Sequence, residues 1–284
     1  TKEAGIEVVM ITGDHPSTAV AIAKEIGLMN ETDKVMTGLE LDQMSDDALE
    51  TNVKSVAVYA RVSPTHKIRI VEAWKKQGAI VAMTGDGVND APALKKADIG
   101  AAMVVVGTEV AKSASDMVLA DDNFATIISA IEEGRRIKDN ILKSIAYLLS
   151  CNVGELTALM VAMILNWASP LLSIHILWVN LVTDSLPALA LGVDPAVQGI
   201  MKRKPSLEKN LINRRMTIDI VYQGLMIGAL TLIAFYIGSS TSTSLGQTMA
   251  FAVLAFSQLV HSHNLRSTKD SIFTYGFSNR YLLG

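Results

Sequence analysis

Among 284 residues the sequence has one cysteine, Cys151, so no internal disulfide can form. Set in an apolar run, Cys151 reads as a small packing residue rather than a thiol nucleophile. An excess of either charge is also missing. The net charge is −3, which gives no electrostatic footprint of a nucleic-acid partner. No signal or transit pattern opens the chain, and Thr1 starts in mid-pattern, as the interior of a longer polypeptide would. What is present divides in two, and the length allows two domains. Thr1 to about Asn140 mixes charged and apolar residues as a soluble domain does. From Ile141 onward, long apolar stretches alternate with short polar loops.

The soluble part is organised around Met83–Pro92, Met-Thr-Gly-Asp-Gly-Val-Asn-Asp-Ala-Pro. The apolar run Ala79–Met83 leads into two glycines that alternate with an acid, and a second acid follows at Asp90. A buried parallel strand ending in such a turn presents backbone N–H groups and carboxylates at its carboxyl end, where open α/β sheets carry their chemistry. Asp86 and Asp90, with Asn89 between them, offer hard oxygen ligands suited to Mg²⁺, which takes one or two carboxylates beside a phosphate. The alternative is an ordinary Gly-Asp turn.

Earlier in the chain, Glu7–Thr12 predicts a strand, and Thr12-Gly13-Asp14 sits at its end above a helix running from Pro16 to about Ile26. Asp14 or Ser17 is expected to cap that helix, and its N-terminus favours phosphate. Lys34–Thr51 is acidic and poorly patterned and reads as a peripheral excursion. Ser55–Ala60 predicts a strand, and Pro64 opens a helix through about Lys76. Lys67 lies in its first turn, against the helix dipole, so a compensating negative group, such as a bound phosphate, is expected nearby. A helix from about Pro92 and strands at Ile99–Met103 and Met117–Leu119 complete an α/β parallel sheet with helices on both faces.

Asn123–Lys143 predicts an amphipathic stalk helix that runs without a breaker into Ser144–Trp167, apolar enough to span a bilayer. Further spans are expected at about Leu171–Val193, Ile218–Gly238 and Leu245–Asn264. The stretches Arg135–Lys143 and Lys202–Arg215 are basic, whereas Asn166–Pro170 and Ser239–Gly246 carry no basic residue. The positive-inside rule then places the soluble domain in the cytoplasm of a multi-pass membrane protein. Inside the spans, Asn152 and Glu155 are three apart on one helix. Asn180, Thr183 and Asp184 follow on the next, just ahead of Pro187, which is expected to unwind or kink it. Ionisable groups at such depth mark an ion path or a polar cluster. Two carboxylates among carbonyl and hydroxyl oxygens suit a hard cation. His261 and His263 read as interfacial.

Thr12-Gly13-Asp14, Lys67, Thr84–Pro92 and Asp116–Asp122 together resemble the phosphorylation domain of P-type cation-transporting ATPases, members of the haloacid-dehalogenase-like superfamily. The resemblance implies that Thr12, Gly13, Asp14, Lys67, Asn89 and Asp90 surround the transferring phosphoryl group, Asp86 holds Mg²⁺, and Arg61 reaches the nucleotide, ATP. Asn152–Glu155 and Trp178–Pro187 resemble the fifth and sixth transmembrane helices of sarcoplasmic-reticulum-type calcium pumps. That likeness implies a transported Ca²⁺ held by Asn152, Glu155, Asn180, Thr183 and Asp184. Gln258 stands where two-site calcium pumps carry glutamate, so one ion per cycle is expected. The chain departs from the pattern in two ways. It contains no Asp-Lys-Thr-Gly-Thr nucleophile segment, and Val104 stands where glycine is usual, with disturbed packing expected there.

The resulting expectation is a C-terminal-side part of an ATP-driven calcium pump. Residues 1–122 would form part of the phosphorylation domain, 123–143 the stalk, 144–264 four spans in the lipid bilayer, and 265–284 a tail approaching a further span. Motion would be transmitted along the Asn123–Trp167 helix. The competing readings are a pump for Mn²⁺ or another cation, a truncated non-catalytic membrane protein, and a soluble phosphatase of the same superfamily.

Overall fold

The computed structural model describes residues 2–205, 211–267 and 279–283. They form two compact units. One comprises Thr1–Ile131 with Met201–Leu207, the other Glu132–Ile200 with Glu208–Gly284.

In the first unit, β1 (Met10–Ile11), β2 (Lys34–Thr37) and β3 (Val56–Ala60) form a parallel ladder in the order β1-β3-β2. A second parallel ladder joins β4 (Ala82–Gly85), β5 (Ile99–Met103) and β6 (Met117–Leu119) in that order. The pattern predicts one continuous sheet, but no strand pairing joins β1 to β4 among the described residues. Apolar packing nevertheless links the two sets, because Ile11 packs against both principal core clusters of the unit. The predicted strand Glu7–Thr12 shrinks to the two residues that pair with Val58 and Tyr59, since Val8 is left 39% exposed.

Lys34–Thr51 is not a peripheral excursion. It contains β2, α2 (Gly38–Gln43) and α3 (Asp46–Asn52). Thr37 caps α2 in a reciprocal box with Glu40, and Ser45 caps α3. Leu41 and Leu49 are fully buried beside Tyr59 and Ile70. Full burial of each such side chain contributes about 1.5–3 kcal/mol. The acidic residues that obscured this pattern lie on the solvent face.

The remaining helices of this unit are α1 (Pro16–Glu25), α4 (Pro64–Lys76), α5 (Ala91–Lys96) and α6 (Glu109–Ala114). His15, not Asp14 or Ser17, is the N-cap of α1: its Nδ1 accepts from the Ser17 N–H at 3.3 Å. Asp14 is held elsewhere, as described below. The valines after Met103 do not disturb packing either. Their side chains point to solvent, and the N–H groups of Val104, Val105 and Val106 converge on the Asp122 carboxylate at 2.6–3.1 Å. Desolvation pulls the Asp122 carboxyl upward, but these three donors outweigh it and hold it below the usual aspartate range.

The second unit contains most of α7 (Phe124–Ile164), then α8 (Ser173–Trp178), a π-helical turn (Val179–Asp184), α9 (Ser185–Gly192), α10 (Arg214–Ser239) and α11 (Thr243–Asn264). The runs Phe124–Ile164, Ser173–Gly192, Arg214–Ser239 and Thr243–Asn264 are each long and apolar enough to cross a membrane. Small residues let these helices approach closely. A Cβ on Gly228 would lie 2.8 Å from the Gly154 carbonyl oxygen and 2.8 Å from Thr157 Cβ. One on Gly238 would lie 2.7 Å from Gly246 Cα. The basic Lys202–Arg215 stretch and the polar stretch after Asn264 fall partly outside the described residues.

Candidate functional site

Two groups of polar side chains, one in each unit, collect the residues that the sequence singles out. In the first unit they lie at the carboxyl ends of the parallel strands. After β1, Thr12 Oγ1 donates to Asp14 Oδ2 at 2.8 Å and accepts the Asp14 N–H at 3.1 Å. The Arg61 N–H, just past β3, donates to the Asp14 carbonyl at 3.1 Å, and Val62 N–H to the Thr12 carbonyl at 3.3 Å. Gly13 lies in open space: a Cβ there would meet nothing within 4 Å. Arg61 has φ +51°, a conformation that L residues with long side chains adopt rarely. Its carbonyl oxygen lies 2.3 Å from where a Gly38 Cβ would stand, so Gly38 permits this turn.

After β4, Lys67 Nζ donates to Asp90 Oδ1 at 2.5 Å, and Gly87 N–H to Asp90 Oδ2 at 3.1 Å. Asp90 is thus the negative group that offsets Lys67 at the start of α4. The pair is largely buried, with side chains 17% and 9% exposed. Gly85 makes room for it, since a Cβ there would fall 2.4 Å from Asp90 Cβ. The Asp86 carbonyl accepts the Thr108 N–H at 2.8 Å. Its carboxylate and the Asn89 amide are exposed, and neither makes a side-chain hydrogen bond or ion pair among the described residues. Among the described residues, no hydrogen bond joins the Thr12–Asp14–Arg61 group to the Lys67–Asp90 group.

This donor set fits Mg²⁺ in one specific way. Asp90 is occupied by Lys67 and Gly87, which leaves Asp86 as the free carboxylate. One carboxylate with waters and phosphate oxygens is a usual Mg²⁺ environment. No group of three or more His, Cys, Asp or Glu side chains that would form a protein-only metal cage occurs among the described residues.

In the helical unit, Glu155 on α7 is the hub. Gln258 Nε2 on α11 donates to its Oε1 at 3.3 Å, and Asn180 Nδ2 to its Oε2 at 3.5 Å. Asp184 is 1% exposed, and neither carboxylate oxygen has a hydrogen-bond partner. Gln258, fully buried, leaves its Oε1 without one as well. Thr183 is buried and its hydroxyl donates to the Val179 carbonyl at 3.0 Å. Asn152 does not join the group. It is exposed, and its Nδ2 turns back to the Leu148 carbonyl at 2.8 Å, because the fold buries the Cys151–Glu155 face instead.

Some contributors had no signal in the sequence. Tyr147 Oη donates to the Thr183 carbonyl at 2.9 Å. His261 is buried rather than interfacial: it bonds Ser150 Oγ at 2.8 Å and stacks on Tyr147 at 6.1 Å. Asp194 is buried among Lys143, Arg266 and Asn279.

The chain thus combines a unit of parallel strands with polar groups at their carboxyl ends and a unit containing helices long and apolar enough to cross a membrane, with carboxylates buried among them. Comparison with known families agrees. Residues 1–98 match the haloacid dehalogenase-like hydrolase family, and residues 168–284 match the family described as cation transporting ATPase, C-terminus. Over nearly its whole length the chain is similar to calcium-transporting ATPases. It is 53% identical over 99% of its length to calcium-transporting ATPase 1 of Bacillus cereus, covering 34% of that protein. Against the calcium-transporting ATPase of Bacillus subtilis the identity is 50% over 100% of the chain and 32% of the relative. Against calcium-transporting ATPase type 2C member 2 of Rattus norvegicus it is 42%, over 99% and 30%. The chain therefore spans about a third of the length of these relatives.

Proposed function

We propose that this chain is part of an ATP-driven pump that moves Ca²⁺ across a membrane through an aspartyl-phosphate intermediate. The observation that carries the reading is Asp184, a carboxylate buried among apolar helices with both oxygens unpartnered. An isolated ionised carboxylate in such surroundings is strongly disfavoured unless a cation joins it. Glu155, Asn180, Thr183 and Gln258 supply further oxygens close by in the bundle, and Ca²⁺ takes six to eight. Asn152, exposed and bonded back to Leu148 of its own helix, is not a ligand in this arrangement. A neutral glutamine at position 258, Gln258, in place of a carboxylate favours one ion per cycle.

At the other site, Thr12, Gly13 and Asp14 bind and orient the phosphoryl group through the Thr12 hydroxyl and open backbone. Lys67, held by Asp90, neutralises its charge, and Asn89 adds an amide. Mg²⁺ bound at Asp86 would supply positive charge to the phosphate oxygens. Arg61, exposed at the strand end, is the residue offered to the nucleotide. Phosphoryl transfer requires positioning and charge neutralisation above all, and these residues provide both. The basic loops support a cytoplasmic phosphorylation domain and a multi-pass location in the bilayer.

Joined to a segment carrying the Asp-Lys-Thr-Gly-Thr nucleophile, the chain is expected to form acid-stable phosphoenzyme from ATP, activated by micromolar Ca²⁺. Asp184→Asn should abolish that activation, and Asp86→Asn should abolish Mg²⁺-dependent phosphoenzyme formation itself. Stronger activation by Mn²⁺ than by Ca²⁺ would reassign the transported ion. Calcium activation that survives Asp184→Asn would remove Asp184 from the site.

A further inference from the structure

Three consecutive backbone N–H groups leave the turn after β3, and each has its own acceptor. The Arg61 N–H donates to the Asp14 carbonyl at 3.1 Å and the Val62 N–H to the Thr12 carbonyl at 3.3 Å. The Ser63 N–H donates to His66 Nδ1 at 3.1 Å. His66 stands at the third position of the α4 capping box, where Glu or Gln is usual, and is buried. Because Nδ1 accepts, the ring proton sits on Nε2, which donates to Asp42 Oδ1 on α2 at 2.8 Å. The end of α2 is itself fixed to α4, since Arg69 donates to the Leu41 and Met44 carbonyls at 2.8 and 2.7 Å. These contacts together enforce φ +51° at Arg61, a conformation that a residue other than glycine keeps only where its surroundings over-determine it. The Arg61 side chain is exposed and makes no hydrogen bond or ion pair among the described residues. Its five donors are therefore open, on a turn bonded directly to the Thr12–Asp14 loop.

We propose that His66, backed by Asp42, is a positioning residue for ATP: by holding the Ser63 N–H it keeps the turn in the conformation that presents the Arg61 guanidinium to the nucleotide phosphates. The inference rests on the phosphoryl-transfer reading given above, and it adds a residue that touches neither phosphate nor Mg²⁺. A planar guanidinium binds phosphate oxygens in a fixed geometry, so its aim matters more than that of a lysine would. Without the His66 acceptor, Arg61 can relax toward the conformations that L residues prefer. The guanidinium is then presented for only part of the time, and ATP binds more weakly by that fraction. Thr12 and Asp14 keep their bonds to each other, so the phosphoryl loop is not released.

The chain joined to the upstream segment that carries Asp-Lys-Thr-Gly-Thr is placed in lipid nanodiscs, and acid-stable phosphoenzyme is measured against the concentration of radiolabelled ATP. Phosphorylation by inorganic phosphate is measured in the same preparation as a reaction that needs no nucleotide. His66→Ala should raise the half-saturating ATP concentration by about two- to tenfold, the weight of one net hydrogen bond. The maximal phosphoenzyme level and the response to inorganic phosphate should stay as in the wild type. His66→Gln keeps an acceptor at the capping-box position and should return the ATP response to the wild-type value. In an Arg61→Ala background, His66→Ala should add little, because both changes remove the same contact. An ATP response unmoved by His66→Ala, a His66→Gln variant that stays at the alanine level, or an effect of full size on top of Arg61→Ala overturns the proposal. Loss of phosphorylation by inorganic phosphate in His66→Ala also overturns it, since His66 would then support the unit as a whole and not the nucleotide. If the wild-type protein forms no phosphoenzyme from either source, the phosphoryl-transfer reading itself falls. If it does and His66→Ala is silent, only the role of His66 is lost.

Discussion

Replacing Asp194 by alanine removes the carboxylate that gathers three parts of the helical unit. Its side chain is completely buried. Oδ2 accepts Lys143 Nζ at 2.9 Å, while Oδ1 accepts Arg266 Nε at 3.0 Å and Asn279 Nδ2 at 3.0 Å. The backbone bond from Asn140 Nδ2 to the Asp194 carbonyl, 2.7 Å, survives the substitution. What is lost is the partner of a Lys143 ammonium only 12% exposed, together with one contact each of Arg266 and Asn279. Breaking a buried pair from one side costs about 3–5 kcal/mol, because the remaining charge keeps its desolvation penalty. For a unit of this size, that lowers the unfolding midpoint by roughly 6–20 °C. The assay is thermal unfolding in nanodiscs followed by fluorescence, with Trp74→Phe so that the signal comes from Trp167 and Trp178. Adding Lys143→Met to Asp194→Ala removes the stranded ammonium and should recover about 1 kcal/mol or more, a coupling typical of groups in contact. A midpoint that falls by less than about 2 °C, equivalent to under ~1 kcal/mol, together with no recovery in the double variant, would refute the assignment of Asp194 as a buried clasp.

Three further outcomes are expected. Gly85→Ala drives a methyl into Asp90 Cβ, 2.4 Å away, and should destabilise the α/β unit by about 1–3 kcal/mol in urea unfolding; a neutral substitution would mean that the Asp90 side chain is free to leave Lys67. Asp98 accepts the Val81 N–H and pairs with Lys75, each at 2.9 Å, and these hold its pKa below the usual aspartate value. Its contribution is therefore complete above the unfolded aspartate range and is lost as pH falls through the lower folded value. Asp98→Asn should flatten the acid limb of the stability–pH curve and leave its neutral plateau sloping as before; an unchanged acid limb would contradict this. Gly228→Leu places a side chain where a Cβ already meets the Gly154 oxygen and Thr157 at 2.8 Å, so α7 and α10 must separate; a loss of at least about 2 kcal/mol is expected in the fluorescence melt, and retention of the wild-type midpoint would show that the helices part without cost.

The elements with the strongest local signal were the most legible in the sequence. Pro64 marked the start of α4, and β5 and β6 are short apolar runs bounded by turns. The membrane-length helices followed from hydropathy alone. Lys34–Thr51 was misread because its acids sit on short capped helices whose only core contributions are isolated leucines, too few to show a period. The division of the strands into two ladders was likewise invisible, because pairing depends on neighbours distant in sequence. At the candidate sites, residue identity suggested a chemistry but not the contacts. Asp90 as the partner of Lys67 lies 23 residues away. Asn152 lies on the helix that carries Glu155 but turns back onto the backbone, a choice between two rotamers that spacing cannot express.

The proposed cation site shows how a backbone irregularity supplies what side-chain pattern leaves open. Pro187 has no N–H, so the carbonyl four residues earlier, Thr183, loses its regular helical donor. In lipid such a carbonyl must find another partner, and Tyr147 Oη supplies it from α7 at 2.9 Å. The chain before the proline relaxes into a π turn, Val179–Asp184, in place of a simple kink. Widening that turn shifts the side chains of Asn180, Thr183 and Asp184 away from a regular α-helical spacing. Asn180 then reaches Glu155 Oε2 at 3.5 Å from the outer side, while Asp184 is carried fully inward with no donor to meet it. A regular helix would bury these groups by a 3.6-residue rule and give Asp184 neighbours from its own element. The proline, the tyrosine and the π turn together leave one carboxylate short of partners, the electrostatic condition that a cation would relieve in the proposed pump.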